Sequence, residues 1–302
     1  MLVFKPGETL LAWNARITAD RVEALRLITA IARERRSDSR FLHVRSTKGT
    51  RQLPGLRDDV AACVFALEGV LIAGAVLHAA AWTSAFHDLT LGRTERTVGE
   101  FKPCDAHADD REYLEDRPRL DGVRSFLASR GSASPRASRA IRRGRKTVHG
   151  IANRKQEALL RLIDEEGVAA FAGSRHYLEF AREVGVRTAV VSASANTPAI
   201  LRTAGLESPI DACIDGNAIA AGGMLVKPAP DTLLAACRAL AAEPRTAVVF
   251  ETSPVGVTAA RAAGFAAVMA VDEGGNADAL LGAGAGGVVQ GLAELLERGL
   301  DR

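Results

Sequence analysis

Four short apolar runs, Ala61 to Leu67, Thr188 to Ser192, Ala247 to Phe250 and Ala266 to Val271, are each bounded by polar or glycine-containing segments and separated by helix-length stretches. Alternation of this kind argues for a parallel sheet wrapped by helices. Arg175 to Val184, Pro198 to Ala204, Pro230 to Leu240 and Gly256 to Ala263 are the predicted crossover helices, several opened by proline or closed by glycine. The expected fold class is α/β, a doubly wound, Rossmann-like parallel sheet.

Between the first and second strands lies a long interval rich in helix formers and charges, without comparable β-branched runs. It reads as an inserted helical cap over residues 78–173, leaving 58–77 and 174–302 as the α/β core. A cap of this kind sets a ligand cleft against the carboxyl ends of the strands. Residues 1–57 form an N-terminal extension. Val22, Leu25, Ile28 and Ile31 recur there at helical spacing behind Thr18, which predicts a helix to Arg36. The basic run that follows, Arg33 to Arg57, reads as a solvated helix end and linker. A second run, Arg130 to Lys146, carries seven basic residues and no acids, and reads as a cap loop that could attract anions. Gly282 to Gly287 reads as a tight turn before a last strand and helix.

Composition closes off several classes. With 39 Lys+Arg against 36 Asp+Glu, a net charge of +3 does not call for nucleic acid. No apolar run reaches the roughly 18 residues of a membrane span, and Met1 to Trp13 lacks the pattern of a signal peptide, so a soluble, cytoplasmic protein is expected. Cys63, Cys104, Cys213 and Cys237 are widely spaced, without a Cys-x-x-Cys pair, and read as reduced structural thiols.

Four motifs follow one another at the predicted strand ends. They are Phe65-Ala66-Leu67-Glu68-Gly69-Val70-Leu71, with Leu77-His78 and Trp82 behind it; Val191-Ser192-Ala193-Ser194-Ala195-Asn196; Lys227-Pro228-Ala229-Pro230-Asp231; and Phe250-Glu251-Thr252-Ser253-Pro254-Val255-Gly256-Val257. Two cap segments accompany them, Arg117-Pro118-Arg119-Leu120-Asp121-Gly122-Val123-Arg124-Ser125-Phe126-Leu127 and Gly150-Ile151-Ala152-Asn153-Arg154-Lys155. From about Asp59 to Leu296 the chain resembles the haloacid dehalogenase superfamily, and within it the β-phosphoglucomutase-like group. A single motif is weak evidence; the ordered set is specific.

The resemblance implies phosphoryl transfer in which one carboxylate attacks phosphorus, a second moves the proton, and Mg²⁺ steadies the phosphate oxygens. It places the nucleophile at position 66, where this chain has alanine, and the acid/base group at Glu68. It places Mg²⁺ on position 66 and on the fourth motif, where Glu251 keeps a carboxylate and Thr252 does not. Asp215 and Asp272 read as turn carboxylates rather than substitute ligands. The phosphate cradle implied is Ser192, Ala193, Ser194, Asn196 and Lys227, with Ala195 where relatives often carry a basic residue. His78, Arg119, Asn153 and Lys155 match positions that look toward substrate.

Loss of the nucleophile together with a metal ligand points first to a pseudoenzyme that binds a small phosphorylated sugar without turning it over. Two other readings stay open. One is an active hydrolase or mutase in which Glu68, Glu251 or Asp272 activates water. The other is a non-catalytic interaction module with a protein partner, since degenerate domains of this kind resemble the N-terminal half of some trehalose-phosphate phosphatases.

Overall fold

The structure, a computed structural model, describes Leu53, Leu56 and residues 59–91, 113–114, 117–130, 147–272 and 275–300. The predicted helix from Thr18, Cys104 and the basic residues of both runs other than Arg130 lie outside the described residues. In chain order the elements are β1 (Ala62–Ala66), α1 (Ala75–Leu91), α2 (Arg119–Ser129), α3 (Val148–Glu166), α4 (Ala172–Glu183), β2 (Arg187–Val191), α5 (Thr197–Ala204), β3 (Ala212–Ile214), α6 (Gly216–Gly222), α7 (Asp231–Ala239), β4 (Ala247–Glu251), α8 (Pro254–Ala263), β5 (Ala267–Val271), α9 (Ala277–Gly282), β6 (Gly287–Val289) and α10 (Leu292–Leu300). The strands form one parallel sheet in the order β3-β2-β1-β4-β5-β6. This is the doubly wound arrangement, and its order reverses between β1 and β4.

Both faces of the sheet are covered, which is why its strands read as continuous apolar runs. Cys63 and Phe65 of β1 point to one face with Val190, Val248 and Phe250, under α4, α5 and α10. Ala62 and Val64 point to the other with Ala189, Val191 and Val249, under α7, α8 and α9. Phe65 and Phe250, partners in register across β1 and β4, stack at 4.8 Å, and Tyr177 of α4 meets both rings edge-on. The four predicted strands fall within a residue of β1, β2, β4 and β5, and the turn after Gly282 leads into β6 and α10 as expected. Two elements are additions to the sequence reading. Strand β3 holds three residues, and α6 is a short helix bounded by glycines and capped by Asp215, whose carboxylate accepts from Ala218 N. Neither is long enough to show a period.

Helices α1, α2 and α3 sit between β1 and β2 in the chain and carry a cluster of their own, in which Trp82, Phe86, Phe126, Val123 and Ile151 are buried together. The rings of Phe86 and Phe126 stack at 3.9 Å. Two of these helices also reach the main core. Leu77 and Ala81 of α1, and Ala158, Leu159 and Ile163 of α3, pack with the sheet-facing cluster. Helices α1 and α3 therefore pack in both clusters. Thr147 opens α3 by accepting from Gly150 N at 3.0 Å.

Candidate active site

The carboxyl ends of β2, β1 and β4 stand side by side at the point where strand order reverses, the place where a crevice opens in sheets of this kind. A cavity of about 420 Å³ lies there, between the strand ends and the helical insert. Its sheet-side lining comes from the residues following β1, the loop from Ser192 to Asn196, Lys227 and Thr252; its insert side comes from α1, α2 and α3.

Strand β1 ends at Ala66, buried and lining the cavity with a methyl group. The chain then turns through Glu68 and Gly69, closed by Gly69 N donating to Ile72 O at 2.9 Å. Gly69 has a φ of +75°, and a Cβ there would lie 2.8 Å from Thr252 Cγ2, so the turn needs glycine on both counts. This turn holds Glu68 over the cleft. Its Oε2 accepts from Ser192 Oγ at 3.3 Å, and its Oε1 lies 3.5 Å from His78 Nε2. On the other side of the ring, His78 Nδ1 is 3.3 Å from Lys155 Nζ. An ammonium can only donate, so Nδ1 is the acceptor and the ring proton sits on Nε2, facing Glu68. Glu68, His78 and Lys155 thus form a continuous polar line from the β1 turn to α3. Lys155, buried in the insert, also lies 5.2 Å from the centre of the Trp82 ring.

Burial, and then the charge of Lys155, hold the His78 imidazole well below its usual pKa of 6.5. Below pH 6.5 the unfolded chain therefore takes up a proton that the folded protein refuses, and stability is lost as the pH falls. His78→Gln is expected to flatten that loss, which has a ceiling of about 1.4 kcal/mol per pH unit for one proton. Urea unfolding of both proteins on either side of pH 6.5 measures it; equal slopes would mean that His78 is protonated in the fold.

The loop after β2 folds around its own hydroxyls. Ser192 Oγ accepts from Ser194 N at 3.2 Å, Ser194 Oγ accepts from Asn196 N at 3.3 Å, and Thr197 Oγ1 donates to Ser194 O at 2.8 Å. The loop leads into α5, whose N-terminal end favours an anion. Gly216 backs the loop so closely that a Cβ there would lie 2.5 Å from Ala193 O. On the far side of the cleft, Asn196 and Gln156 of α3 exchange amide bonds, Gln156 Nε2 to Asn196 Oδ1 at 2.5 Å and Asn196 Nδ2 to Gln156 Oε1 at 3.0 Å. Arg119 Nη1 also donates to Gln156 Oε1. Helices α2 and α3 are thereby tied to the sheet-side loop.

Lys227 reaches the cavity from the loop before α7, and its Nζ donates to Glu251 Oε2 at 2.9 Å, with the two side chains 8% and 1% exposed. This pair bears on the Mg²⁺ that the resemblance implies. A divalent cation of this kind needs several oxygen ligands anchored by carboxylates. Here the neighbouring strand-end positions carry Ala66 and Thr252, and the carboxylate of Glu251 is held by an ammonium. Among the described residues no three His, Cys, Asp or Glu side chains converge as a metal site. The donor set does not fit Mg²⁺. Asp215 and Asp272 serve as turn and cap carboxylates, Asp272 accepting from Asn276 N at 2.9 Å.

Of the residues singled out from the sequence, Ala66, Glu68, His78, Arg119, Lys155, Ser192, Ala193, Ser194, Asn196, Lys227 and Thr252 all line the cavity, and Glu251 touches it through Lys227. Asn153 does not; it is exposed on α3, outside the lining. The residue that α3 sends to the cleft beside Lys155 is Gln156, which the sequence reading missed, along with Arg117 and Arg124. Helical spacing carried the signal. Ala152, Lys155 and Leu159 are buried along one stripe, and Gln156 lies on it four residues after Ala152.

A β-phosphoglucomutase of Mycobacterium bovis is 42% identical over 245 residues, which is 80% of this chain and 94% of that protein. The β-phosphoglucomutase structure from Clostridium difficile superposes with a TM-score of 0.61 at 19% identity, covering 80% of this chain and 98% of its own. A CbbY variant from Rhodobacter sphaeroides, in complex with xylulose-(1,5)bisphosphate, superposes with a TM-score of 0.59 at 24% identity, covering 78% and 96%. These two structures establish the shared fold. The profile of haloacid dehalogenase-like hydrolases matches residues 60–264, and the chain belongs to that family, in its β-phosphoglucomutase-like group.

Proposed function

We propose that this protein binds a small phosphorylated sugar in the cleft and does not carry it through an aspartyl-phosphate intermediate. The observation behind the reading is the methyl group of Ala66 at the end of β1, beside a phosphate cradle whose serines, asparagine and lysine are all retained. A methyl carbon has no lone pair with which to attack phosphorus. The reading takes residues 78–173 as the cap and 58–77 with 174–302 as the core. Sugar phosphates are favoured as the ligand class by the mutase relative and by the sugar bisphosphate in the CbbY neighbour. Among the described residues no helix is long and apolar enough to cross a membrane.

Thermal unfolding with β-glucose 1-phosphate and trehalose 6-phosphate tests it. A ligand at about 100 times its Kd adds about 2.7 kcal/mol, an upward shift of about 5 °C or more. That shift is expected in the natural protein and absent in Ser192→Ala. No shift with either ligand would end the binding reading.

One geometric feature favours a second reading, an altered hydrolase. Glu68 is aligned by Ser192 and His78 as a base for water would be. This reading requires phosphate release that disappears in Glu68→Gln, whereas the binding reading requires none in either protein.

A further inference from the structure

We infer that the ammonium of Lys227 takes the cation's place at the β4 strand end of this cleft and that phosphate is held there without any divalent metal, an inference that rests on the phosphate-binding reading above. The buried Lys227–Glu251 pair closes the charge at the β4 strand end within the chain itself. The seat of Glu251 is tight. Its Oε2 lies where the first turn of α8 comes so close that a Cβ on Gly256 would be 2.2 Å away. A cation entering here would meet an ammonium already seated on Glu251 Oε2 and would have to give up hydration water. It would find a methyl group at Ala66 and a hydroxyl at Thr252, so that Glu251 is the single carboxylate among these three strand-end positions. An ammonium has three donors and no fixed coordination geometry, so Lys227 can keep Glu251 and meet a phosphate oxygen together. The loop from Ser192 to Asn196, which lines the same cavity ahead of α5, completes such a cradle from the neighbouring strand.

The claim can be tested on the ligand-free protein, separately from whether any phosphate binds. Titration with Mn²⁺, followed by electron paramagnetic resonance, is expected to find no Mn²⁺ site that Glu251→Gln removes. The Ala66→Asp, Thr252→Asp double variant is expected to gain one site, lost again when Glu251→Gln is added. Thr252→Asp alone serves as a gentler comparison, and circular dichroism confirms that each variant is folded. A Mn²⁺ site in the natural protein that Glu251→Gln abolishes overturns the inference. A folded double variant that takes up no Mn²⁺ overturns it too, because the positions named would not be the metal's.

Calorimetric titration with inorganic phosphate gives the second readout. Its Kd is expected to agree within about twofold between magnesium chloride and EDTA, and a tightening of about tenfold with magnesium overturns the inference. Absence of phosphate binding under both conditions sinks the proposed function instead, and the Mn²⁺ result then decides this inference by itself.

Discussion

Lys227→Met is expected to destabilise the protein by about 3–5 kcal/mol, because it leaves the Glu251 carboxylate buried without the ammonium now holding it. The methionine keeps the length of the side chain, so loss of packing contributes little. The diagnostic part is the rescue. Adding Glu251→Gln removes the stranded charge and is expected to restore most of the loss, a non-additivity that only contacting groups show. Urea unfolding of the natural protein, both single variants and the double variant closes the cycle. Additive losses would mean that the pair is open in solution and that the charge at the end of β4 is neutralised in some other way.

The Ala66→Asp, Thr252→Asp double variant is expected to release phosphate from β-glucose 1-phosphate or a generic aryl phosphate, where the natural protein releases none above background. Catalytic groups that act as a unit lose their value together, so each single variant should stay close to background while the pair rises by about three orders of magnitude or more. The expectation follows from what the fold has kept. Glu68 is positioned between Ser192 and His78, and Lys227 and the loop from Ser192 to Asn196 face the same cavity. Glu68→Gln in the double variant should remove the gained activity, since the proton then has no carrier. Turnover that appears in the natural protein and survives Glu68→Gln points to a contaminant. Turnover that Glu68→Gln abolishes in the natural protein would replace the binding reading with the hydrolase reading.

How much of this was readable beforehand depended on the physical origin of each feature. Strands β1, β2, β4 and β5 were legible because burial on both faces writes an uninterrupted apolar run into the sequence. Strand β3 was not, since Ala212, Cys213 and Ile214 are too few to mark a pattern and two of them are only partly buried. Glu68 and Ser192 could be placed beside the cavity because they follow motifs at strand ends, where position in the chain nearly dictates position in space. Lys227, by contrast, comes from the loop before α7 and not from the strand end expected for its motif. The insert-side residues were harder. Whether α3 offers Asn153 or Gln156 to the cleft is a question of helix rotation, which is set by packing of Ile151, Ala152 and Leu159 against partners far away in sequence. The link from Glu68 through His78 to Lys155 likewise spans residues 77 positions apart at its His78–Lys155 step, and only the folded chain brings them together.

The Gln156–Asn196 exchange joins α3 to the loop after β2 by a contact that responds to salt differently from the proposed ligand capture. The amide pair itself carries no net charge for mobile ions to screen, although the charged Arg119 also donates to it. Attraction between a cationic cleft and a dianion, by contrast, weakens as the Debye length shrinks toward about 3 Å at molar salt. Raising ionic strength is therefore expected to weaken the proposed capture of a phosphorylated ligand more than it loosens the contact between α3 and the loop after β2.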